Sequence, residues 1–162
     1  MKKRWVLWLL WDLVLAVAGM IFFFSSQEGY ASMKTSNGIT YWMIRLFHPG
    51  YDGLGGKEKR AIFQRFQYIV RKGAHFSEFA LLGVSLRLLF QALSLRLPLP
   101  LAYVAGTLYA CIDELHQQFT GNRSPMWRDV GIDSAGVLCG AALVSLILWL
   151  RRRRKEKAGA IH

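Results

Sequence analysis

The residues most able to do chemistry fall into three short groups. In Arg71–Leu82 (RKGAHFSEFALL), Lys72, His75, Glu78 and Leu82 are spaced to share one stripe of a helix. His75 and Glu78 can then act as a base and its orienting partner, or as two metal ligands. In Cys111–Phe119 (CIDELHQQF), the adjacent Asp113 and Glu114 point about 100° apart on a helix. Gln117 lies beside both, and His116 follows Asp113 by one turn. Asp129, Asp133, Gly136 and Gly140 form a further stripe, whose Gly-x-x-x-Gly pair permits a close helix contact beneath the two carboxylates.

We take His75, Glu78, Asp113 and Glu114 as candidate catalytic residues. Lys72, Gln117, Arg123, Asp129, Ser26 and Gln27 are the candidate substrate-binding residues. Lys72 and Arg123 suit phosphate or carboxylate groups, and Glu114 or His75 suits a general base. A divalent metal could draw on His75, Glu78, Asp113 and Glu114. Their spacing is not diagnostic, so metal and cofactor stay unknown and a metal is not favoured. Gly-x-Ser-x-Gly, HExxH and phosphate-loop patterns are absent, which leaves Ser25, Ser26 and Ser77 as weak nucleophile signals. Each group also has a purely structural reading. His75 and Glu78 can be a hydrogen-bonded pair between helices, and Asp129 a helix-start residue. Gly136 and Gly140 can be packing contacts, His116 can face headgroups, and the whole set can be a network that holds helices together.

The elements that must position these residues are apolar runs. Trp5–Phe24 is long enough to cross a hydrocarbon core of about 30 Å. It exceeds a signal-peptide core and no small-x-small pattern follows it, so we read a retained span. Gly73–Leu93, Leu101–Phe119 and Asp129–Leu150 are the other spans. Pro98 and Pro100 oppose helix continuation and mark a tight turn, and the basic run Arg151–Lys157 stops the fourth span. Gln27–Gln67, broken by glycines, reads as a long loop. Within it, Thr40–Phe47 and Lys57–Lys72 mix apolar and polar residues in the manner of helices lying on a membrane surface. An Asp at the centre of a spanning helix costs about 2.5–3.5 kcal/mol, so carboxylates persist there when they face a partner or a wet cavity. Asp12, inside the first run, can pair with Arg4 or another helix, or lie near the interface.

The chain has 162 residues, 53% of them hydrophobic, yet its formal net charge is +11. The basic residues sit mostly at the ends of apolar runs, which suits a membrane protein and argues against nucleic-acid binding. Cys111 and Cys139 lie inside apolar runs without a CxxC pair and read as small buried hydrophobes. The expected fold is all-α: an integral membrane four-helix bundle forming a single domain over residues 1–162. Its spans are about 5–24, 73–93, 101–119 and 129–150, with a basic tail at 151–162 and a long loop between helices 1 and 2 that has room for interfacial helices. Four spans put both termini on one side, and the dense block Arg151–Lys155 makes that side cytoplasmic. Polar residues from all four spans then meet at one membrane depth near the outer face. The opposite halves, such as Leu86–Leu93 and Ala141–Leu150, carry far fewer.

The ordered set of these pieces resembles the VanZ-like family of small bacterial membrane proteins. The matching residues are Phe24–Gln27 (FSSQ), Arg71–Phe79 (RKGAHFSEF) with Leu82-Gly83, and Asp113-Glu114 with Gln117 and Phe119. Arg123, Asp129 and Gly136 complete the set. At the position where many relatives carry Asn, this chain has Asp133. The family's namesake is associated with resistance to the glycopeptide antibiotic teicoplanin. The resemblance implies a multi-pass protein of the bacterial cytoplasmic membrane, with membrane lipids as partners. The charge mix of the outward-facing polar residues suits an anionic lipid-linked or cell-surface substrate, so a lipid-linked cell-wall precursor or a glycopeptide is the further expected partner. The resemblance marks His75, Glu78, Asp113, Glu114, Gln117, Arg123 and Asp129 as family-pattern positions without assigning roles. Whether the protein is an enzyme stays open, and its rivals are a non-catalytic assembly or binding module and a proton-coupled transporter. The acids crowd one side instead of forming a path across, which weakens the transporter.

Overall fold

The computed structural model describes residues 2–26, 29–120 and 127–159, and these form helices and short turns without a strand. The helices are α1 (Lys2–Ser25), α2 (Gly29–Phe47), α3 (Gly56–Ala92), α4 (Pro98–Thr120) and α5 (Trp127–Gly159), with a single 3-10 turn at Tyr51–Gly53. Among the described residues, three helices are long and apolar enough to cross a membrane: Arg4–Ser25, Gly56–Ala92 and Trp127–Ala158. Their large side chains point outward along much of their length, as at Trp8, Leu15, Phe23, Leu143 and Leu146, which suits hydrocarbon as solvent. α4 is not among the three, because its second half carries Asp113, Glu114, His116, Gln117 and Gln118.

Several boundaries differ from the sequence reading. The stretch read as a long loop with room for interfacial helices is largely helical, and the helices run beyond Thr40–Phe47 and Lys57–Lys72. Gly29 and Gly38 are tolerated in α2 because its face packs on α3, with Thr40 and Ile44 fully buried. Tyr41 meets Phe63, Phe47 meets Phe66, and Gln67 Nε2 donates to Asn37 Oδ1 at 3.1 Å. α3 then runs unbroken for 37 residues, so the basic amphipathic part and the apolar part form one rod of about 55 Å. Glu58 accepts from the Gly55 N–H at 3.3 Å and caps its start. Pro98 and Pro100 do not lie in a turn; they occupy the first turn of α4, where a missing N–H breaks no helical bond. α5 continues through Arg151–Lys157. The charges end its apolar stretch, but Arg, Lys and Glu are good helix formers and the backbone goes on to Gly159.

α3 and α5 form the most extensive helix pairing and run parallel. A Cβ at Gly136 would collide with the Phe76 carbonyl, one at Gly140 with the Ala80 carbonyl, and one at Gly83 with the Val137 carbonyl. Glycine is required at these three because backbones meet there. Val137, fully buried, also fills the space beside Gly106 of α4. α4 runs antiparallel to α3, since Phe79 faces Tyr109 while Gly83 and Gly106 share Val137. α1 follows α4 in direction: the Tyr109 hydroxyl donates to the Ala18 carbonyl at 2.7 Å, and Phe22 stacks on His116. The apolar core joins Val14, Val17 and Ile21 of α1 to Phe79, Leu82 and Leu86 of α3, with Ala102 and Ala110 of α4 and Val137 and Ala141 of α5.

Candidate functional site

Polar side chains collect where α1 and α4 end, α5 begins and the apolar part of α3 starts. Lys72 of α3 forms an ion pair with Asp129 of α5. Asp129 also occupies the first turn of α5, where a carboxylate complements the partial positive charge of the helix start. On the same stripe of α3, His75 Nδ1 lies 3.8 Å from Glu78 Oε2, close enough for charge interaction but too long for a hydrogen bond. α4 contributes Asp113, Glu114 and Gln117, all buried, and Gln117 Nε2 donates to Asp113 Oδ2 at 2.8 Å. Asp133 and Ser134 are buried on α5, and Ser25 is buried at the end of α1.

Asp113 is the centre of this group. It is 3% exposed and acts electrostatically on His75, Glu78, Asp133 and Tyr109, so residues of α3, α4 and α5 lie within one another's field. Asp133 feels Lys72, Asp129 and Glu114 as well. Buried Asp113 Oδ1, Asp129 Oδ1, Ser25 Oγ and His75 Nδ1 have no hydrogen-bond partner among the described residues. Burial without a partner is costly for such atoms, which makes them the natural contacts of a proton, a water or a substrate group. Acids outnumber the bases Lys72 and Arg71 that act on the group, so its centre suits proton exchange and its Lys72 edge suits an anion. Among the described residues, no three His, Cys, Asp or Glu side chains are placed to hold a metal ion.

The structure therefore brings Lys72, His75, Glu78, Asp113, Glu114, Gln117 and Asp129 to one end of the helices. Lys72 already has a carboxylate partner, so an anionic ligand there competes with Asp129. Ser26 turns to its own helix, its hydroxyl donating to the Phe22 carbonyl at 2.6 Å. Gln27 and Arg123 lie outside the described residues. Asp12 is exposed on α1, and Cys139 is exposed too, not buried as its apolar surroundings imply. Tyr109 joins the site without a sequence signal beyond its one-turn spacing from Asp113. The half of the molecule read as carrying far fewer polar groups still holds a buried one: Arg87, bonded to Ser145 and Gln91. An Arg inside Ser85–Ala92 (SLRLLFQA) with Gln91 one turn on was the available sign.

The sequence profile of the VanZ/LLP1 family matches residues 10–149, most of the chain. The chain belongs to the VanZ/LLP1 family. The matched segment takes in α2, α3 and α4 whole, with α1 from its middle and α5 to the end of its apolar stretch. No curated protein and no solved structure matches the chain. Membership of the VanZ/LLP1 family and three apolar helices of spanning length make this a membrane protein.

Proposed function

We propose that the protein is a four-crossing member of the VanZ/LLP1 family in the bacterial cytoplasmic membrane, with both termini in the cytoplasm. Its acidic group opens toward the outer face and binds or acts on an anionic, lipid-linked or cell-surface substrate. The supporting observation is the buried Asp113, whose field reaches His75, Glu78 and Asp133 on two neighbouring helices while one of its oxygens lacks a described partner. In this reading a phosphate or carboxylate takes Lys72 from Asp129, with Arg123 as second cation. Glu114 or His75 then accepts a proton from the substrate. Changed surface material would lower access of a glycopeptide such as teicoplanin.

The test compares cells expressing the protein with cells expressing His75→Ala or Glu114→Gln at matched membrane levels. Labelled teicoplanin binding should return toward that of cells lacking the protein, while each variant keeps its melting temperature in detergent. Binding identical to that of the unsubstituted protein would remove the site from the explanation. A second reading, a non-catalytic assembly module, draws on the Lys72–Asp129 pair, which ties α3 to α5. Under that reading both variants lose folded protein along with the phenotype.

A further inference from the structure

The opposite end of the helices holds a polar cavity of about 280 Å³. It lies between the last turns of α3, the start of α4 and the end of the apolar stretch of α5. Arg87, Arg96 and Arg152 line it, and none of its described walls is an Asp or Glu. Arg87 is only 7% exposed. Its Nε donates to Ser145 Oγ at 2.8 Å and its Nη1 to Gln91 Oε1 at 3.0 Å. The Ser145 hydroxyl in turn donates to the Ala141 carbonyl at 2.9 Å, which leaves its lone pairs facing the guanidinium. These neutral oxygens orient the fork but bring no negative charge. The described carboxylate–cation pairs, Lys72–Asp129 and His75–Glu78, both belong to the other end.

A buried guanidinium beside two further arginines is unfavourable unless an anion compensates it. The backbone around the cavity is itself shaped with care. Ser94 adopts a left-handed φ of 58°, and the Leu95 N–H reaches back to the Phe90 carbonyl at 3.1 Å while the Ser94 N–H bonds the Gln91 carbonyl at 3.1 Å. This helix-ending turn folds Leu95 and Arg96 over the end of α3, at a position where glycine would be less strained. Pro98 brings the start of α4, with its partial positive charge, to the same wall. Trp149 borders the cavity and carries the Arg153 guanidinium 4.3 Å above its ring. Trp beside Arg at the end of an apolar run marks the boundary between hydrocarbon and headgroups.

We propose that this cavity is a phosphate-binding site in which Arg87, Arg96 and Arg152 receive the phosphate of a membrane phospholipid or of a soluble phosphate compound. Arg87, pre-set by Ser145 and Gln91, offers its remaining N–H groups to two phosphate oxygens, and the more exposed Arg96 and Arg152 close on the others. The volume lies just below the range of about 300–1,000 Å³ usual for drug-sized ligands, which suits a phosphate with a short polar stem. The site is independent of the acidic group and of any reaction there.

The test uses the full-length protein, the double variant Arg96→Gln/Arg152→Gln, and a control, Arg154→Gln/Lys155→Gln, that removes equal charge outside the cavity. Each is purified into detergent, and thermal stability is read at constant ionic strength with phosphatidylglycerol, phosphatidylcholine or inorganic phosphate added. Phosphatidylglycerol should raise the melting temperature of the unsubstituted protein and the control, with apparent affinity at least about tenfold weaker in the cavity variant. A response to phosphatidylglycerol alone assigns the phosphate to a lipid headgroup; a response to inorganic phosphate as well assigns it to a soluble compound. Arg87→Lys, which keeps the charge and loses the fork, should lower affinity while leaving the protein folded. Equal responses in all variants, or no response to either phosphate source in the unsubstituted protein, would overturn the proposal.

Discussion

Lys72 and Asp129 show how one contact serves two demands at the acidic end. Each side chain is about four-fifths buried, with 22% and 17% exposure, so neither charge is comfortable alone. Lys72→Met should leave Asp129 uncompensated among Glu78, Asp113 and Asp133, and Asp129→Asn should leave Lys72 without its partner. The double variant should recover part of the loss. A double-mutant cycle of melting in detergent should return a coupling of about 0.5–3 kcal/mol, and additive losses would show that the pair does not hold α3 to α5. The pairing of Gln117 with Asp113 was legible from their one-turn spacing. The role of Asp113 as a centre was not, because it depends on which faces of α3 and α5 turn toward α4. Arg87 was legible only as a charge near a span end, since burial depends on Ser145, 58 residues away in the chain.

At the scale of the helices, the α3–α5 contact is controlled by small residues. Gly140→Ala should drive a methyl into the Ala80 carbonyl and destabilise the protein by about 1–3 kcal/mol. Gly131→Ala, on the same helix but with open space at its Cβ, should be neutral or stabilising by up to about 1 kcal/mol through helix propensity. Thermal melts of the two variants check the contrast, and equal effects would remove the close approach as the cause. The Gly-x-x-x-Gly pattern made the notch on α5 legible. Its partner Gly83 carries no such pattern and emerges only from the crossing. The spanning stretches of α1, α3 and α5 were legible as long apolar runs. Of α2 only the Thr40–Phe47 half was legible; Gly38 and the polar residues before it weaken intrinsic helicity, and packing on α3 restores it. The helical tail of α5 was hidden for the opposite reason: charge reports where a membrane ends, not where a helix does.

For the molecule as a whole, the decisive question is whether α4 crosses together with its neighbours. Its antiparallel course beside α3 and parallel course beside α1 place the start of α1 and the end of α5 at the same end of the molecule. With Cys111 and Cys139 replaced by Ser, single cysteines at Gly53 and Lys157 report the two ends. A membrane-impermeant maleimide should label Gly53→Cys in intact cells and Lys157→Cys only after permeabilisation. The reverse pattern would invert the proposed orientation, and labelling of both in intact cells would break the four-crossing topology.

The unbroken α3 has a mechanical consequence. At about 55 Å it outreaches a hydrocarbon core of about 30 Å, so its first turns, clamped to α2, and the stripe bearing His75 and Glu78 belong to a single lever. It contains no proline, and Gly73, in open space just ahead of His75, is its softest interior joint. Only a bend at Gly73 would let the α2-clamped start of the rod move apart from the acidic stripe.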